Sequence, residues 1–107
     1  MPIITLLTDF GLSDYYVAAM KGVANGKLDL SAFTPDALEP VGLEEAAGFL
    51  HDIRSWSYAG RGRTSMRIHG HKLVSFETLR ISDGRDFFFF TVYLDERGKI
   101  AYVELTT

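Results

Sequence analysis

The strongest constraint on this chain is a change of hydrophobic period at Arg54. Before it, apolar residues recur at helical spacing, and Leu43, Ala46, Ala47, Leu50 and Ile53 make one continuous stripe. After it the period is two: Met66 and Ile68 alternate with Arg67 and His69, so one face there is wet, while Leu73–Ile81 and Phe87–Leu94 are apolar on both faces. A stripe of that kind has to be buried against another layer. Helices followed by a run of hairpins therefore predict an α+β domain, with two to three helices packed on one face of a curved antiparallel sheet of four to five strands. With 107 residues, the expected unit is one domain spanning 1–107.

Local signals place the elements. Ile3–Leu7 is short, apolar and β-branched, which predicts an N-terminal strand broken by Thr8-Asp9-Phe10-Gly11. Ser13 is a good N-cap and Asp14 suits the first turn of a helix carrying Tyr16, Met20, Val23 and Ala24. Asn25-Gly26 ends it. Thr34-Pro35-Asp36 predicts the start of a second helix, kept short by Pro40 and Gly42. Strands are expected at Ser55–Ala59, Leu73–Ile81, Phe87–Leu94 and Lys99–Leu105, with turns at Gly60-Arg61-Gly62, Ser82-Asp83-Gly84 and Asp95–Gly98. Phe87–Phe90 is an aggregation hazard at an open edge, so a central strand or a dimer interface is expected to protect it. A homodimer is the expected assembly, since so small a sheet shields one face by self-pairing.

Composition removes whole classes of function. There is no cysteine, which excludes disulfides, zinc thiolates and thiol nucleophiles and suits a reducing, cytoplasmic setting. The opening residues lack the basic start and long apolar run of a signal peptide, and no apolar run reaches the roughly 20 residues that span a bilayer, so no membrane contact is expected. Net charge is −3 but uneven. Residues 1–53 hold eight acids against Lys21 and Lys27, whereas 54–107 hold nine bases against six acids.

Few residues converge on chemistry. His69-Gly70-His71 could present two rings on one strand face to a divalent metal, but with no third ligand the expectation is no metal, with Gly70 marking a bulge at a strand end. His51, near a helix C-terminus, reads as a cap. Arg54, Arg61, Arg63, Arg67 and Lys72, interleaved with Trp56 and Tyr58, could bind single-stranded nucleic acid; the negative total charge argues instead for solvated strand faces. Asp83 and Asp86 read as turn formers. No nucleophile elbow and no phosphate-binding loop is present in the sequence, and no catalytic residue is assigned.

Two resemblances bear on function. Ile4-Thr5-Leu6-Leu7-Thr8-Asp9-Phe10-Gly11-Leu12-Ser13-Asp14, followed by Tyr16-Val17 and Met20-Lys21-Gly22-Val23, resembles the opening of the S-adenosylmethionine hydroxide adenosyltransferase family, relatives of the fluorinase. The resemblance implies S-adenosylmethionine or adenosine as ligand, with Asp9 accepting hydrogen bonds from the ribose hydroxyls and Phe10 and Asp14 beside it. Asn25–Asp29, Phe33–Leu38 and the ending Tyr93–Val103 are similar to the cystatin-like and nuclear transport factor 2-like domains. That similarity implies an accessory or dimerisation module, or a cup for a small ligand between helix and sheet, with no cofactor. One chain carrying both suggests a recombined or artificial chimera. The leading expectation is the non-catalytic module with a small apolar ligand; the alternatives are an adenosine-type ligand at the TDFG motif and, third, single-stranded nucleic acid.

Overall fold

The computed structural model describes residues 15–106. The expected strand at Ile3–Leu7, the Ser13 cap, Asp9, Phe10 and Asp14 lie outside the described residues. The chain enters as helix α1, described over residues 15–24, and passes through turns over 25–41 to α2, Leu43–His51. Five strands follow: β1 Ser55–Arg63, β2 Arg67–Ile68, β3 His71–Ser82, β4 Phe87–Asp95 and β5 Ile100–Thr106. All strand pairs are antiparallel in the order β1-β3-β4-β5, with β2 pairing the start of β3. The α+β class and the helices-then-hairpins order hold.

Alternation assigns the two faces. Trp56 and Tyr58 in β1, Glu77, Leu79 and Ile81 in β3, Phe88, Phe90, Val92 and Leu94 in β4, and Val103 in β5 share the inner face by cross-strand register. One hydrophobic cluster joins the inward Trp56, Leu79, Ile81, Phe88, Phe90, Val92, Leu94 and Val103 to Tyr16, Met20 and Val23 of α1, to Phe33, Ala37 and Leu38 of the turns, and to Ala46 and Leu50 of α2. The Leu43–Ile53 stripe is thus the lid its period predicts. Phe49 of α2 packs edge-on against Phe88 of β4, with ring centroids 5.8 Å apart. Phe87–Phe90 sits on a central strand, as its apolar run requires.

Three local expectations are corrected. No helix follows Thr34. Bonds such as Ala37 N–H to Thr34 O and Glu39 N–H to Asp36 O span three residues and keep 35–41 as successive turns, ended by Pro40 and by Gly42 at φ 91°. Gly60-Arg61-Gly62 is no turn: β1 runs through it, and the register shift between Tyr58 and Gly60 leaves Ala59 as a bulge. Gly62 lies under Phe76, where a built Cβ would be 2.5 Å from the ring Cζ, so glycine here makes room for an aromatic neighbour. Gly70 is no bulge: His69 (φ 52°) and Gly70 (φ 82°) form the two-residue turn between β2 and β3, which needs positive φ at both positions.

Two further devices finish the sheet. Asp83 Oδ1 accepts the Arg85 and Asp86 N–H groups, and Asp95 Oδ1 accepts those of Arg97 and Lys99, so each aspartate organises its own hairpin loop. At the start of β5 the chain bonds back to the turns: Thr34 N–H to Ile100 O and Ile100 N–H to Ala32 O make a short parallel bridge. That bridge seats Phe33, fully buried, beside the last strand.

Candidate functional site

The helices and sheet do not fill all the space between them. A pocket of about 160 Å³ remains under α2, walled by Ala46, Phe49 and Leu50 of the helix, Met20 of α1, Leu38 and Val41 of the turns, Phe90 of β4, and Val103 and Leu105 of β5. Each wall follows from a local rule. The 3.6-residue repeat aims Ala46, Phe49 and Leu50 at the sheet, and the period of two aims Phe90 and Val103 back at them. Ala46 is small, and that leaves the room. Exposed Glu45 borders the space from α2; on the sheet side β5 passes it at Val103, Glu104 and Leu105, with the Glu104 side chain on the opposite face beside Thr91. The pocket opens to solvent past exposed Val41 and Leu105, and its volume has room for a benzene-sized solute.

A second, polar arrangement sits at the β1 side of the same face. Glu77 points inward among apolar neighbours and is only 5% exposed. The Tyr58 hydroxyl donates to its Oε2 at 2.8 Å, and Arg61 lies opposite it in the β1–β3 register. Tyr16 of α1 is buried over this corner, and its hydroxyl donates to the Gly98 carbonyl at 3.4 Å. Burial, with the Glu77 charge and then Tyr15 adding to it, pushes the Tyr16 phenol up to about 12. At physiological pH it is a neutral donor, not a base. The sequence reading missed Glu77, although its parity with Leu79 and Ile81 puts it on the buried face.

The histidine pair is divided by the turn. His69 occupies the turn itself, while His71 opens β3 and sets its Nε2 2.9 and 3.0 Å from the two Asp36 oxygens. Asp36 also accepts the Thr34 hydroxyl at 2.9 Å. Thr34 first, then His71, hold the Asp36 carboxyl below the ordinary carboxylate range, against the partial desolvation that pushes the other way. This clamp ties the 34–41 turns to the β2–β3 hairpin. Among the described residues no group of three or more His, Cys, Asp or Glu side chains could hold a metal. His51 is exposed at the end of α2, with Nδ1 3.6 Å from Asp52 Oδ1.

In the basic stretch, Arg67 and Lys72 pair across the β2–β3 ribbon, and Arg61 and Arg63 lie in β1. Trp56 packs against the core cluster and Tyr58 bonds Glu77, while Arg67 lies on the β2 ribbon. No described helix is long and apolar enough to cross a membrane.

Helices over one face of an antiparallel sheet, with an apolar pocket between the layers and no convergent catalytic set among the described residues, define a small two-layer α+β domain. Residues 4–55 match the family model described as the SAM hydroxide adenosyltransferase N-terminal domain. The match begins within the TDFG-containing opening and ends at the first residue of β1, so it spans both helices and stops where the sheet starts. No curated protein and no solved structure matches the chain significantly.

Proposed function

We propose that this chain is a non-catalytic module that holds a small apolar ligand between α2 and the inner sheet face. The pocket of about 160 Å³ with its hydrocarbon and aromatic wall carries this reading. Helices laid over one face of an antiparallel sheet agree with it. A ligand of six to nine heavy atoms fits such a volume, and burial of that little surface supports a Kd of about millimolar. Titration with benzene and with indole, followed by methyl NMR, tests it. Saturable shifts at Leu38, Leu50, Val103 and Leu105 are expected. Shifts that stay linear to the solubility limit, or that spread evenly over the surface, reject the reading.

The family match at 4–55 favours a second reading, S-adenosylmethionine or adenosine binding through the Asp9-Phe10-Gly11 segment together with Asp14. A carboxylate at Asp9 suits a ribose diol because it accepts two hydrogen bonds. Calorimetric titration with S-adenosylmethionine and adenosine separates the two readings. Heat that disappears in Asp9→Ala supports the second; none at millimolar ligand removes it.

A further inference from the structure

The outer face of the sheet is as organised as the inner one, and among the described residues no helix packs on it. Cross-strand register lays it out in rows: Gly62, Phe76, Tyr93 and Tyr102 in one, Gly60, Thr78, Thr91 and Glu104 in the next, Ser57, Arg80, Phe89 and Thr106 in the third, then Ser82 and Phe87. None of these residues belongs to the core cluster. Phe87 and Phe89 are 57% and 42% exposed. The Phe76, Tyr93 and Tyr102 rings form a tilted ladder at 5.9 and 5.8 Å centroid spacing, and the Thr78 and Thr91 hydroxyls bond each other at 3.1 Å. Arg80 and Glu104 are the charged residues of these rows, on the two strands that flank β4. Arg80 lies over the Phe87 ring at 4.1 Å.

We propose that this face is an isologous dimer interface, its occupant a second copy of this chain related by a two-fold axis running along β4. The placement of charge and aromatic rings selects that partner. Such an axis carries β3 of one copy over β5 of the other. Phe76 then meets Tyr102 of the second copy, Tyr93 meets its own equivalent, and Arg80 lies one row, about 7 Å, from Glu104 of the second copy, within reach of an arginine side chain. Each pair occurs twice by symmetry, so the cation of one copy always finds the acid of the other. Four strands and four rows give a footprint of about 500 Å² per copy, or about 1000 Å² for the pair, which is the lower limit of a specific interface and suits a weak, reversible dimer.

Sedimentation velocity from about 1 μM to 1 mM at low salt tests the proposal. The full chain is expected to double its mass across that range. Arg80→Glu and Glu104→Arg each place like charges opposite one another in the homodimer and are expected to weaken it at least tenfold. Mixed in equal amounts, the two variants carry opposite signs at both contacts and are expected to restore the dimer. Phe89→Ser, outside the core cluster, should weaken it without unfolding the chain. A monomer at every concentration overturns the proposal. So do charge variants that keep the dimer, and charge variants that dissociate without rescuing one another.

Discussion

Leu50→Ala tests whether α2 is held by the sheet or merely lies near it. Leu50 is 2% exposed and walls the pocket from the helix side. The substitution removes three carbons, worth about 2.4 kcal/mol at roughly 0.8 kcal/mol per buried CH₂. The vacated volume merges with the existing pocket, so the remaining walls lose contacts with little chance to close the gap. That adds a cavity contribution of about 1 kcal/mol and brings the total to about 3–4 kcal/mol. Urea unfolding at neutral pH measures it, with the midpoint falling and the slope unchanged. On heating, the same loss is a drop in Tm of over 10 °C at about 4 °C per kcal/mol. Glu44→Ala, exposed on the same helix, should move stability by less than about 0.5 kcal/mol. A loss below about 1 kcal/mol at Leu50 would refute the packing argument.

Three other outcomes follow from the same contacts. The folded Asp36 carboxyl titrates below its unfolded value of about 3.9, so the folded state binds fewer protons there; its stabilisation is present above that pH and fades as pH falls through the folded value, and Asp36→Asn should flatten this part of an acid unfolding curve. Tyr16 runs the other way: raised to about 12, it keeps its proton when the unfolded phenol at about 10 has lost it, so stability declines from pH 10 upward, and Tyr16→Phe should remove that decline in alkaline urea titrations. Gly62→Ala should cost about 1–3 kcal/mol because its Cβ meets the Phe76 ring, and combining it with Phe76→Ala in a double-mutant cycle should recover much of that loss.

The layer architecture was legible because it follows from period alone. The stripe Leu43–Ile53 permits one buried face, the period of two after Arg54 marks strands, and the fold joins them. Asp83 and Asp95 announced their hairpins through side-chain bonds confined to a few residues. What failed was local chemistry decided by distant partners. Gly60-Arg61-Gly62 looks like a turn until Phe76, fourteen residues on from Gly62, occupies the space a side chain would take. Thr34-Pro35 begins helices elsewhere, but here the backbone of Thr34 bonds Ile100 and its side chain serves Asp36. The pocket was unreadable as a list of residues, because Met20, Leu38, Phe90 and Val103 are ordinary core residues and only their spacing leaves a void. Glu77 was the exception, legible from parity and overlooked.

The claim on which this account stands is that α2 closes over the inner face of β4. Ring-to-ring nuclear Overhauser effects between Phe49 and Phe88 measure it directly. At a centroid separation of 5.8 Å with the rings 79° apart, strong cross-peaks and upfield-shifted edge protons are predicted. Two Phe rings with no cross-peak between them and random-coil shifts would contradict it.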